Sequence, residues 1–402
     1  MRVKGTKSIK FTRTLGAVGL VLLGMGFFGT GAMAQMGGVC SNCHTMHNSQ
    51  NDNTQVFVGV GAGWNAGTLG GGTSNAEQEQ LLKTDCVGCH TNTSSQDTIV
   101  TIGGSKVPIV YNTTAYPSGA STATTPLAGG NFFNVASNDT YGHNVAGISS
   151  ADSALTYAPG SEGVNCANGS CHQTLTTIDV SAGGLGPEYK GGCQGCHTRV
   201  GHHNPNDPSY RYLGGHGFPG IDYVDGGGVP NTYEDADWEQ TKGAADHNFY
   251  KRQNSHFDFG IGGFCAGCHS TFHAMGQGAI PYAPIDNGGD DNTDNLITAN
   301  STPSNPWLRH PTNVNIPNNG EYAAMFSGPA AYNPAVPVAQ NPAGNPNIID
   351  AGDQVMCLSC HRAHGSNQPD ALRFNYSTIV AHNAGAAAGT GCFYCHTTKD
   401  DP

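Results

Sequence analysis

Residues 357–364 read Cys357-Leu358-Ser359-Cys360-His361-Arg362-Ala363-His364, and the first five decide how the chain must be built. C-x-x-C-H is the spacing of covalent c-type haem attachment. Each thiol adds to one vinyl group of the macrocycle, so two cysteines must reach across one haem edge from a single turn of chain. The adjacent histidine then lies under the iron as the proximal ligand. All 14 cysteines fall into such sets: Cys40, Cys43 and His44; Cys86, Cys89 and His90; Cys166, Cys171 and His172; Cys193, Cys196 and His197; Cys265, Cys268 and His269; Cys357, Cys360 and His361; and Cys392, Cys395 and His396. The third is stretched to C-x4-C-H, with Asn168-Gly169 suited to a bulging turn. An extracytoplasmic disulfide framework predicts paired cysteines but no histidine after every second one. Zinc knuckles would need a fourth ligand for each set. Seven c-type haems are therefore expected.

Composition agrees. The 402 residues include 58 Gly and 22 Pro, only 37% are hydrophobic, and no long stretch keeps a helical period. Side chains alone would struggle to offset the entropy of ordering so loop-rich a chain. Haem faces, with thioethers and iron–histidine bonds as staples, can supply the missing core. The expected fold is mostly irregular coil with short α-helices and a minor β-hairpin, organised around a chain of stacked haems. The hairpin is predicted over Thr98 to Tyr111 with Gly103-Gly104 at its turn. Asn287 to Asn305 and Pro329 to Pro346 read as surface loops. Asp290, Asp291 and Asp294 read as a solvated acidic loop rather than a calcium site.

The chain opens with an export signal: Arg2, Lys4, Lys7, Lys10 and Arg13, an apolar stretch from Leu15 to Phe28, and a small-x-small site at Ala32-Met33-Ala34. Residues 1–34 are the expected signal peptide and 35–402 the expected heptahaem domain, with no membrane span in the mature chain. There are 17 Lys and Arg against 29 Asp and Glu, and the leader removes five of the basic residues. That balance argues against nucleic acid and for a basic redox partner.

A carrier haem has both axial positions filled, whereas a catalytic haem keeps one open. Of 18 histidines, seven are proximal, which leaves enough to place imidazole on both faces of every iron. Methionines of the mature chain are few: Met36, Met46, Met275, Met325 and Met356. Bis-His ligation gives lower potentials than Met/His, so low-potential, low-spin haems are expected. His47, His273 and His364 follow a motif too closely to fold over their own iron and should serve a neighbouring haem. His143, His247 and His310 suit distal ligands donated from loops, and one of His202 and His203 completes the set, with His203 preferred. His216, His256 and His382 stand in reserve.

At this point the chain resembles the extracellular multihaem cytochromes of metal-reducing bacteria, in particular the OmcS-like filament, or nanowire, family. The residues that carry the likeness are Cys40 to Ser49, Gly142-His143-Asn144, Leu308-Arg309-His310-Pro311, Cys357 to His364 with Arg373-Phe374-Asn375, and Cys392 to Lys399. They cover about a quarter of the mature chain. The family pattern has six haems, against seven motifs here, and the Cys166 and Cys193 region does not align simply. The resemblance implies a filament in which His47 ligates the haem at Cys357 and Cys360 of a neighbouring copy.

Three functions compete. One is an extracellular or outer-surface electron conduit, polymeric or not, delivering electrons to a metal oxide, other redox proteins or copies of itself. A second is a monomeric periplasmic carrier. The third is a multihaem nitrite or hydroxylamine converter. Such enzymes often mark the catalytic haem with an unusual proximal residue, and every motif here ends in His, which argues against an enzyme.

Overall fold

The structure is a computed structural model. It describes residues 37–46, 81–118, 125–155, 192–197, 235–252, 260–266, 312–326, 332–341, 344–381 and 390–399, with short pieces within 49–69 and at 158–159, 175–176, 202–203, 268–269 and 310. Two compact units divide between Met33 and Ala34, and every described residue belongs to the second. The expected leader and the 287–305 loop lie outside the described residues. So do Cys166, Cys171 and His172 of the stretched motif, and the candidate ligands His47, His216, His256, His273 and His382.

Each described cysteine motif closes one helical turn. The backbone N–H of the histidine donates to the carbonyl of the first cysteine in all six: His44 to Cys40 (2.9 Å), His90 to Cys86 (2.9 Å), His197 to Cys193 (2.8 Å), His269 to Cys265 (3.0 Å), His361 to Cys357 (3.0 Å) and His396 to Cys392 (3.0 Å). This is the i to i−4 bond of an α-helix, and positions i, i+3 and i+4 share one face of such a turn. The spacing therefore aims both thiols and the imidazole the same way. Three turns are longer or better tied than the rest. Gly260–Ala266 is the longest. Asp85 accepts from Gly88 N at 3.0 Å to cap Cys86–Cys89. Cys357–Cys360 is tied by Ser359, which accepts from Met356 N and donates to the Pro337 carbonyl. Gly391–Tyr394 follows Thr390 in extended backbone.

Between the turns the chain is coil stitched by very short strands. The predicted hairpin forms, with Ile99–Ile102 antiparallel to Ser105–Pro108 and Gly103 and Gly104 both at positive φ. Two small mixed sheets were not foreseen. One joins Thr68–Leu69, Trp64–Asn65, Thr91–Asn92 and Tyr111–Asn112. The other joins Val314–Asn315, Gln354–Val355, Ala339–Gln340 and Tyr250–Lys251. Thr91 follows His90 directly, and Val355 precedes Cys357 by two residues, so each sheet fixes the exit or entry of an attachment turn.

The described apolar interior is split among four clusters. The largest gathers Val87, Tyr111, Phe132, Val135, Val145 and Ile148. Another gathers Ile316, Met325, Tyr332, Val338 and Ile349. The second corrects one expectation: 332–341, inside the supposed surface loop 329–346, is core, with Tyr332 and Val338 almost completely buried. Pro and Asn dominate that stretch and mask its apolar residues, but a proline-rich coil packs as well as a strand once its carbonyls find partners. They do so here through Ser359, which donates to Pro337, and Gln340, which donates to Pro346 and Ile348. Elsewhere buried Asn side chains replace ladders: Asn131 donates to Asn112 at 2.7 Å, and Asn112 donates to the Ser95 and Asp97 carbonyls.

Candidate functional site

Five of the six described motif histidines face a second imidazole. The ring centroids are 6.1 Å apart for His44 and His203, 6.3 Å for His90 and His202, 6.1 Å for His197 and His364, 6.1 Å for His269 and His143, and 6.2 Å for His396 and His310. A transition metal–imidazole bond is about 2 Å and the ring centroid lies about 1.1 Å beyond its nitrogen, so imidazoles on opposite faces of one metal have centroids roughly 6 Å apart. Every pair matches that spacing and joins one motif histidine to one outside any motif. The rings are tilted by 28° to 54° in four pairs and by 78° in the fifth.

Main-chain carbonyls orient several of these rings. His90 Nδ1 donates to Pro108 O at 2.7 Å, His269 to Pro159 O at 2.7 Å, His361 to Asp370 O at 2.6 Å and His143 to Ala363 O at 2.5 Å. A proton held on Nδ1 leaves Nε2 as the metal-binding nitrogen. Burial pushes His197 and His202 down to about 4 and His364 down to about 3, with nearby imidazoles adding to the effect. These rings are neutral, as a ligand must be. Burial likewise pushes the Cys89, Cys196 and Cys395 thiols up to about 12. They are not the exposed, low-pKa thiols of redox catalysis.

The loop 127–131 seats His364. His364 N donates to Gly129 O at 2.7 Å, and a Cβ on Gly129 would stand 3.0 Å from His364 Nδ1. Gly130, at φ +86°, would put a Cβ 2.0 Å from the Gly365 carbonyl. Only glycine fits there.

Neighbouring motifs also lie near one another. The Cys86 and Cys193 thiols share a hydrogen bond, as do Cys265 and Cys357. Cys43 lies close enough to Cys89, Cys196 to Cys268, and Cys360 to Cys392 for their charges to interact. These contacts string the described motifs in one spatial order that follows the sequence: 40, 86, 193, 265, 357, 392.

The donor set fits haem. One further observation agrees: Arg373 donates from Nε to the Leu358 and His361 carbonyls (2.6 and 3.1 Å), while its buried Nη2 has no partner in the protein. An unpaired guanidinium nitrogen beside the Cys357–His361 turn suits a haem carboxylate. Among the described residues, no three of His, Cys, Asp and Glu gather as a zinc site requires.

Comparison with known proteins agrees with this geometry. The doubled CXXCH motif family matches residues 350–401. The C-type cytochrome OmcS of Geobacter sulfurreducens is 24% identical over 438 aligned positions, spanning 96% of this chain and 90% of that protein. This chain resembles an OmcS-type multihaem c-type cytochrome along nearly its whole length. Two solved structures are also similar. The Outer Membrane Cytochrome S filament from Geobacter sulfurreducens is 18% identical, with a TM-score of 0.41 and coverage of 90% and 91% of the two chains. The OmcS nanowires of the same organism are 18% identical, with a TM-score of 0.37 and coverage of 91% and 92%.

Several histidines of the cytochrome sit differently from the sequence expectation. His202 and His203 both face motif histidines, His90 and His44 respectively, where only one was expected to. Adjacent residues in coil can point to opposite sides, a possibility that the count of histidines concealed. His247 instead stacks on Tyr332 at 3.7 Å and 13°, with Nδ1 2.7 Å from Asn248 O and Nε2 3.0 Å from Pro346 O. Both ring nitrogens lie near main-chain carbonyls rather than another imidazole, and the ring belongs to the Tyr332 core. His361 is exposed, and no imidazole faces it among the described residues. His172, the expected proximal ligand of the stretched motif, lies outside the described residues, as do the expected distal ligands His47 and His273. The described residues therefore account for six of the seven expected attachment turns.

Proposed function

We propose that the cytochrome carries electrons along seven bis-His c-type haems and does so outside the cell as a polymer of itself. The observation that carries this reading is the set of five imidazole pairs at 6.1–6.3 Å, spread along the succession of the six described cysteine motifs. Cys40, Cys43, Cys86, Cys89, Cys193, Cys196, Cys265, Cys268, Cys357, Cys360, Cys392 and Cys395 would hold six haems by thioethers. Cys166 and Cys171 would hold a seventh, with His172 as its proximal ligand. Bound haem supplies one-electron exchange between ferric and ferrous iron. The chain's part would be to hold and orient it: His44, His90, His197, His269, His361 and His396, together with His203, His202, His364, His143 and His310 that face the first four and His396, would supply the ligating imidazoles. Filled axial positions leave no face for a substrate.

Polymerisation is supported by the sequence likeness to OmcS, a protein whose solved forms are described as a filament and as nanowires. It is supported also by His361, whose exposed ring turns no face to another imidazole among the described residues. A neighbour's His47 would complete that site. An export leader over residues 1–34 and delivery to an extracellular metal oxide belong to the same reading.

The test uses natively matured, full-length protein. Intact mass should show seven haems, spectra should be low-spin throughout, and electron micrographs of secreted material should show filaments. His47→Ala should abolish filaments and leave haem content unchanged. A mass short by one haem would remove the Cys166, Cys171 and His172 site from the set. A stoichiometric high-spin haem in the assembled protein would overturn the carrier reading. Material that stays monomeric and periplasmic would overturn the polymer.

A further inference from the structure

Three described motif histidines, His90, His269 and His361, give their Nδ1 proton to a neutral main-chain carbonyl. His396 does not. Its Nδ1 lies 3.2 Å from Glu321 Oε1. Glu321 sits on the turn Gly320–Tyr322, and the residues following His396 close around it. Thr397 Oγ1 donates to the Glu321 carbonyl, Thr398 Oγ1 donates to Oε2 at 3.3 Å, and Lys399 Nζ stands 3.9 Å from the same oxygen. Tyr322 packs edge-on against the His396 ring at 5.4 Å and brings its hydroxyl within 3.4 Å of Nδ1. Only 17% of the Glu321 side chain is exposed. The stretch His396-Thr397-Thr398-Lys399 thus wraps one carboxylate and aims it at one ring nitrogen.

A hydrogen bond to an anionic acceptor is about twice as strong as one to a neutral carbonyl. It draws the Nδ1 proton away from the ring, which makes the opposite nitrogen a stronger electron donor to a metal. Stronger donation stabilises ferric over ferrous iron. We propose that Glu321 is a positioning residue that lowers the reduction potential of the haem at Cys392 and Cys395, placing a built-in potential step at one end of the haem succession. The inference rests on His310 and His396 being the axial pair of that haem.

Redox titration of the natively matured full chain, followed by optical and EPR spectroscopy, tests it. Glu321→Gln keeps the size and a hydrogen-bond acceptor but removes the charge. It should shift the reduction equilibrium of one haem about tenfold toward the ferrous form, equal to about 59 mV for one electron, and leave the others in place. Glu321→Asp should restore part of the shift. The His310 and His396 rings cross at 78°, the largest angle among the five pairs, and crossed rings give the most anisotropic low-spin EPR signal. That signal should be the one whose midpoint moves. Unchanged potentials in Glu321→Gln, or an equal drift of all of them, would overturn the proposal. His310→Ala separates the underlying reading from it. One new high-spin haem upholds the axial pair, and a fully low-spin spectrum refutes the pair and the proposal with it.

Discussion

At the scale of residues, the cytochrome uses histidine in two chemically distinct ways, and partners rather than spacing separate them. A ring with one nitrogen bound to a carbonyl and the other aimed at a second imidazole about 6 Å away is set to bind metal. His247, stacked on Tyr332 with both nitrogens near carbonyls, is set to pack. His202→Ala and His203→Ala should therefore each open one iron, giving one high-spin haem apiece at different sites. His247→Phe should leave every haem low-spin and lower stability by about 1 kcal/mol, the net worth of a lost hydrogen bond, because phenylalanine keeps the stack on Tyr332. Optical and EPR spectra with thermal unfolding distinguish these outcomes. A high-spin haem in His247→Phe would return that residue to the ligand set.

Among the elements, the two-residue strand Gln354–Val355 is braced by a polar side chain at its entry. Asp353, 1% exposed, precedes the strand Gln354–Val355 and accepts from Asn341 N and Asp350 N. Burial nonetheless dominates and pushes its carboxyl up to about 6. Because the folded value lies above the unfolded one, the protonated form favours folding. Its stabilisation is full below the unfolded pKa near 4 and disappears as pH rises through about 6, amounting to roughly 2–3 kcal/mol. Melting temperatures of the matured protein should fall over that window, and Asp353→Asn should flatten the slope. An identical slope in the variant would show that another group carries it. The C-x-x-C-H turns and the Gly103-Gly104 hairpin were legible in the sequence because their signals are local: an i, i+3, i+4 face and two glycines at positive φ. The sheet strands and the buried 332–341 coil were not, because their partners lie far along the chain, as when Tyr250 meets Ala339.

For the whole molecule, the described apolar residues form four small clusters rather than one core. Bound haem is expected to join them. Protein produced without haem attachment should fail to fold cooperatively and should be digested rapidly by protease, while the matured form resists. A compact, protease-resistant haem-free chain would refute that role. The described cysteine motifs neighbour one another in sequence order, so one chain can present its haems as a succession between the Cys40 and Cys392 motifs. The sequence by itself determined the attachment turns, since cysteine and histidine spacing within five residues fixes both thiols and one imidazole on a single turn. Only the tertiary structure decided which imidazole faces which, that His202 and His203 face two different motif histidines, and that a carboxylate backs His396. Those pairings join residues tens to hundreds of positions apart, and no local periodicity records which loops will meet.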